Sequence, residues 1–265
     1  MKKICKIAVL LAAVLMLFCL TGCGDTPAEP PFVANETPLT LEAIQAGTIT
    51  LTNPWSTLKY KKNGSDFVNV TASGNPPTAT ITVAAGDKVA FYANGSENTV
   101  NTNTRFHIGC DDHDCYVYGN VMSLLSLSNF ENATSISTEY ALAHLFDGNA
   151  HIKNHTQKAL VLPATTLANG CYWVMFQCCS GLTSAPALPA TTLVDLCYCG
   201  MFAGCSNLNS VTCLATDIFA ANCTSNWLNG VASSGTFTKA ASMTGWTEGA
   251  SGIPSGWTVQ DYSAQ

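Results

Sequence analysis

One run of residues returns almost unchanged 26 positions later, and this repetition limits the possible folds more than any other feature. Leu162-Pro163-Ala164-Thr165-Thr166-Leu167 is followed by Cys171-Tyr172, Met175-Phe176, Cys179 and Leu182. Leu188-Pro189-Ala190-Thr191-Thr192-Leu193 is followed in the same frame by Cys197-Tyr198, Met201-Phe202, Cys205 and Leu208. A third line keeps the frame more loosely through Leu214, Cys223, Trp227 and Leu228, and a fourth opens at Phe237 and decays toward the C-terminus. Tyr140, Leu142, Leu145, Phe146 and Ile152 read as a worn first line, with Leu145-Phe146 in the place of Met175-Phe176. A fixed period of this size marks a stack of units, none of which can bury its apolar face alone.

Within a unit, Leu182 to Leu188 reads as extended, with Leu182 and Ala185 inward. Leu167, Cys171, Val174 and Met175 recur at helix-like spacing over two turns. A strand-like piece followed by a short helical or irregular piece is the leucine-rich-repeat plan. The frame Leu-Pro-Ala-Thr-Thr-Leu, Cys-Tyr-x-x-Met-Phe, x-x-Cys-Ser-x-Leu resembles the BspA-like leucine-rich repeats of bacterial surface proteins of Bacteroidales and treponemes, most closely over residues 160–214. The resemblance implies a solenoid and a surface location. It implies no particular activity, because repeat folds host many ligands.

The N-terminus predicts an exported, anchored chain. Lys2, Lys3 and Lys6 precede an apolar run of 14 residues from Ile7 to Leu20, the length of a signal-peptide core rather than of a membrane span. Leu20-Thr21-Gly22-Cys23 resembles a bacterial lipobox, which implies cleavage after Gly22 and a diacylglycerol on Cys23. More than one acyl chain suffices for stable anchoring. Residues 1–22 are thus read as signal peptide. Residues 23–38, with four prolines and two glutamates, are read as a flexible tether.

Residues 39–128 read as a small antiparallel β-module of sandwich type. Thr48-Ile49-Thr50-Leu51-Thr52 and the run Thr78 to Val83 alternate with period two. Asn63-Gly64 is a strong hairpin signal after Leu58 and Tyr60, and Gly86-Asp87 is expected to turn the chain back into Lys88 to Tyr92. Residues 94 to 107 read as a loop, and Val117 to Leu127 as strand or turn. The repeat domain is read as 129–265, with a cap from about 235 in which Trp246 and Trp257 seal the last coil. The expected fold class is therefore mainly β: a sandwich-like module, a short solenoid and a C-terminal cap.

Composition narrows the function. Charged residues make up only 11% and the net charge is −6, so no basic surface is available for nucleic acid. Cys110-Asp111-Asp112-His113-Asp114-Cys115 is the one segment dense in chemistry, open to a disulfide, a metal or a plain polar loop. A structural zinc site usually shows a second ligand pair, and none is evident in the sequence. His144, His151 and His155 have no carboxylate or Cys in an obvious arrangement with them. Eight cysteines between Cys171 and Cys223 follow the repeat phase and read as a buried thiol ladder. No catalytic residue, metal site or cofactor is expected.

The candidate binding surface is a concave, uncharged strand face of Thr183, Ser184, Pro186, Asn209, Ser210 and Thr212. The expected function is non-enzymatic: an outer-membrane lipoprotein, exposed at the cell surface, that binds a host protein, another bacterial surface or a glycan. A structural envelope protein without a ligand is the alternative, as is a glycan-capture accessory of a polysaccharide uptake system.

Overall fold

The computed structural model describes residues 32–93, 105–110 and 112–263. The segment read as a signal peptide, the expected lipidation site Cys23 and most of the expected tether lie outside them, as does Asp111. The described chain is mainly β, with three open sheets and only short 3-10 turns at Val121–Leu124 and Phe130–Asn132.

The described residues up to 120 supply eight strands: β1 (Thr40–Ala43), β2 (Gly47–Thr52), β3 (Lys59–Lys62), β4 (Val68–Asn69), β5 (Thr78–Val83), β6 (Lys88–Tyr92), β7 (His107–Gly109) and β8 (Cys115–Asn120). The alternation expected in β2 is present: Ile49 and Leu51 are buried, while the threonines between them are partly exposed. β5 and β7 flank β2 antiparallel in a three-stranded sheet. β8, β1, β6, β3 and β4 lie in that order in the larger sheet. The buried faces of both sheets, with Ile49, Ile81, Val89, Phe91 and Val117, share one core.

The Asn63-Gly64 hairpin forms as expected: both residues have positive φ, and β3 pairs antiparallel with β4 after the intervening Ser65 to Phe67. One local expectation needs correction. The Gly86-Asp87 turn does not make a hairpin, because β5 and β6 belong to different sheets. Asp87 fixes this corner. Its carboxylate accepts from the Ala84 amide at 2.8 Å and from Asn63 Nδ2 at 2.7 Å, and pairs with Lys62 Nζ at 2.7 Å. With its tip tied to β3, the turn carries the chain across to the other sheet. β1 and β7 were not anticipated, and β7 begins within the segment expected to be a loop.

β8 joins this half to the repeats. On one side it pairs antiparallel with β1; on the other it pairs parallel with β9 (Ile152–Asn154) and β10 (Leu160–Val161). Asn120 at its end is fully buried and satisfied: Nδ2 donates to the Asn35 and Phe130 carbonyls at 3.1 Å, and Oδ1 accepts from the Met122 amide at 2.9 Å. Further on, β11 (Ser210–Cys213), β12 (Thr236–Lys239) and β13 (Thr258–Asp261) pair parallel and in sequence order.

The pieces read as helix-like are turns. In residues 170–179 the amides of 170, 172, 174, 176 and 178 donate to the carbonyls of 195, 197, 199, 201 and 203, while the odd-numbered amides from 171 to 179 bond three residues back. The same arrangement holds in residues 196–205 toward 221–229. Left-handed residues recur every fourth position, at 170, 174 and 178, then 196, 200 and 204, then 222, 226 and 230. Alternate amides thus serve the coil and its neighbour, which leaves the backbone satisfied without a helix. The side chains follow the register: Phe146, Phe176 and Phe202 stack with centroids 5.5 Å apart, and Tyr172, Tyr198, Trp227 and Trp246 stack at 5.4–6.2 Å. Trp257 is buried and its indole donates to the Ala232 carbonyl at 2.8 Å, so both C-terminal tryptophans pack inward against the last turns.

Among the described residues all cysteines remain thiols, and Cys171, Cys179, Cys197, Cys205, Cys213 and Cys223 are buried. Cys179 and Cys205 donate to the Phe146 and Phe176 carbonyls of the preceding coil at 3.0 and 2.9 Å. Burial pushes the Cys197, Cys205 and Cys213 thiols up to about 12. In the unfolded chain these thiols ionise from 9.0 upward, whereas the folded chain keeps them protonated to about 12. The unfolded state alone gains from proton release over that window. Stability fully present below pH 9 should therefore fall as pH climbs toward 12, and Cys213→Ala should flatten the fall, read as the denaturation midpoint against pH. Below that window, iodoacetamide should label the exposed Cys178 well ahead of the buried ladder.

Candidate functional site

The expected binding face is only partly assembled. Thr183, Asn209 and Ser210 are exposed, Ser184 and Thr212 are half-buried, and Pro186 is buried. Pro186 corrects the expectation. It is buried, as are Leu182, Leu188 and Ala190, so its outward reading was out of phase, whereas Ala185, expected inward, is half-buried and packs against the core. Leu208 and Val211 point inward as expected.

Next to this face lies a groove of about 710 Å³, lined by Asn154, His155, Lys158, Ser184, Pro186 and Ala187 among others. It opens where the coils part. Between 183–188 and 209–214 the backbone is paired, through Asn209 to Thr183, Ala185 to Ser210, Leu188 to Thr212 and Leu214 to Leu188. Among the described residues no backbone hydrogen bond joins 156–163 to 183–189. Asn154 stands at the fork. Its Oδ1 accepts from the Thr183 and Ser184 amides at 2.8 and 3.1 Å, and its Nδ2 donates to the Ser184 carbonyl at 3.0 Å. A side chain thus replaces one step of backbone pairing, and beyond it the two coils diverge. Pro163, Pro186 and Pro189 line the gap without amide donors, which discourages closure by strand pairing.

The wall at 155–158 is firmly held. His155 Nδ1 accepts from the Gln157 and Lys158 amides at 3.0 and 3.1 Å, and its ring meets Tyr116 and Tyr118 edge-on. Burial, with the Lys158 charge beside it, holds His155 below the usual histidine range. Lys158 Nζ pairs with Glu42 at 3.0 Å and sits 4.6 Å over the Tyr118 ring. His144 and His151 are elsewhere, bonded to Asp147 and Asp114 respectively, so the three histidines form no joint site.

A second constellation forms in the segment the sequence left open. Cys110 follows β7, Cys115 begins β8, and His113 lies between them against Gly47, the first residue of β2. Cys110, His113 and Cys115 are buried, and one ligand atom from each falls within 4.8 Å of the others. Cys115 Sγ is 3.1 Å from His113 Nε2. On the far side of the ring, Nδ1 is 2.7 Å from Asp112 Oδ1, which also accepts from the Thr48 amide at 3.1 Å. The hydrogen bond from His113, then that from Thr48, holds Asp112 below the usual carboxylate range. Cys110 and Cys115 are not joined as a disulfide. What the sequence did not reveal is that one hexapeptide folds its own Cys, His and Cys onto a single point; the signal was in plain view, but only the corner between β7 and β8 brings the atoms together.

No family model, curated protein or solved structure matches this chain.

Proposed function

We propose that this chain is a non-catalytic, lipid-anchored binding protein of the bacterial outer membrane that takes up a segment of a partner protein in the groove between the parted coils. In this reading the fold is a sandwich-like N-terminal module, then a short leucine-rich-type solenoid and a cap. Support for the solenoid comes from the 26-residue frame and from the coil-to-coil amide pattern. Support for the anchor comes from the apolar run ending in Leu20-Thr21-Gly22-Cys23.

The groove carries the functional part. Pro163, Pro186 and Pro189, with Leu162, Ala185 and Ala187, give it a mainly apolar lining, and Lys158 is already committed to Glu42. A preformed apolar cleft with a few fixed polar groups is the usual form of a binding site. Such walls suit the side chains of an extended peptide better than a glycan, which favours aromatic platforms. Ala187 is exposed, so Ala187→Trp should fill the groove without touching the core. The full-length protein in detergent, presented to immobilised extracellular-matrix proteins and polysaccharides, should bind a protein surface. Ala187→Trp should weaken that binding at least tenfold. Equal binding by the variant, or selective binding to polysaccharide, would overturn the reading.

A further inference from the structure

We propose that Cys110, His113 and Cys115 bind a thiophilic d10 metal ion, zinc(II) or copper(I), which cross-links the two sheets of the N-terminal half. The three ligand atoms already converge within 4.8 Å of one another. With metal–sulfur bonds of about 2.3 Å and metal–nitrogen bonds of about 2.0 Å, a shared ion requires ligand atoms roughly 3.5–4 Å apart. Small side-chain rotations reach that spacing.

The imidazole is set for the task. The Asp112 carboxylate lies 2.7 Å from Nδ1 and accepts from it, which leaves Nε2, 3.1 Å from Cys115 Sγ, as the ligand atom. A carboxylate behind a histidine in this way fixes tautomer and orientation and raises ligand basicity. Gly47 leaves the room that the ring occupies, because a Cβ at that position would overlap the His113 ring.

The donor set selects the ion. Two sulfurs and one imidazole suit zinc(II) or copper(I), and among the described residues no carboxylate oxygen belongs to the converging group, which disfavours calcium and magnesium. Binding releases the two thiol protons to solvent and leaves the oxidation state of the sulfur unchanged. The placement gives the ion a structural role: the ligands sit at the end of β7 in one sheet and at the start of β8 in the other, beside the start of β2. An ion there also keeps apart two thiols that could otherwise form a disulfide in an exporting compartment.

The test uses the full-length protein purified anaerobically in detergent with reduced thiols, incubated in separate arms with zinc(II) and with copper(I). Elemental analysis after gel filtration should find one ion per chain in at least one arm, and the arm that retains it identifies the metal. Cys115→Ser should lose the ion, and Cys199→Ser should keep it. Asp112 is exposed and outside the core, so Asp112→Asn should fold and weaken affinity roughly 10–100-fold. That variant carries the test if Cys115→Ser fails to fold. The bound ion should also shield two thiols from alkylation in the native state. The proposal is overturned if no ion is retained while both thiols are reduced, if retention survives Cys115→Ser, or if protein isolated without reductant carries a Cys110–Cys115 disulfide.

Discussion

Replacing Phe176 by alanine is expected to lower the stability of the folded chain by about 3–5 kcal/mol, read by chemical denaturation. Phe176 is fully buried in the middle of a column, with Phe146 and Phe202 stacked on its two faces at 5.5 Å. Because rings pack on both of its faces, truncation here weakens two interfaces at once. The surroundings have little room to relax, because the Phe176 amide and carbonyl are both used, by the Met201 carbonyl and by the Cys205 thiol. The Phe146→Ala and Phe176→Ala effects should be non-additive, since the second truncation removes a contact already lost. A loss below about 1 kcal/mol for Phe176→Ala would mean that the column does not hold the coils together.

Gly119→Ala is expected to be at least as damaging, on the order of 4 kcal/mol or more, or to abolish folding at ordinary temperature. Gly119 has φ of +87°, and a Cβ there would overlap the Pro38 carbonyl group. The obstacle is backbone, so no side-chain rotation relieves it. The site also lies where three segments meet: Gly119 pairs with Leu160 of β10, its amide donates to the Ala159 carbonyl, and the next residue donates its amide to the Thr37 carbonyl and accepts from the Leu39 amide. Pushing Pro38 away would therefore separate β8 from the chain entering β1 and unseat Asn120. Alanine at Gly148, which also has positive φ but open space around it, is the control and should cost only about 1–2 kcal/mol.

These two residues mark how far the fold could be read in advance. Phe176 belongs to a column only partly visible in the sequence: Phe202 follows it by the 26-residue period, whereas Phe146 precedes it by 30 residues and joins the column through the worn first line. Chemical identity at a fixed spacing survives any uncertainty about local structure. The local structure itself was less legible. A turn pattern with a left-handed residue every four positions differs from a 3.6-residue helix by less than half a residue per turn, so two turns of apolar residues could not separate them. Val174 and Leu196 even occupy left-handed positions, where composition alone would place glycine. Gly119 shows the other limit: its importance comes from Pro38, 81 positions earlier, and no local pattern encodes that approach.

The sites divide in the same way. The strand face followed from alternation and was right at Leu182, Leu208 and Val211, but one shift of phase turned Pro186 inward. The groove depends on Asn154, whose side chain takes the place of backbone pairing, and an asparagine at the end of a short strand announces nothing of the kind. The Cys-His-Cys convergence depends on Asp112 and Gly47, which are remote from one another in sequence.

Protease treatment of intact cells, with a periplasmic protein as internal marker, tests the central claim of a surface-anchored binding protein most directly. The account predicts that the chain is cleaved while the marker survives. Protection of the chain until the outer membrane is broken would contradict it and place the groove, with whatever it binds, inside the envelope.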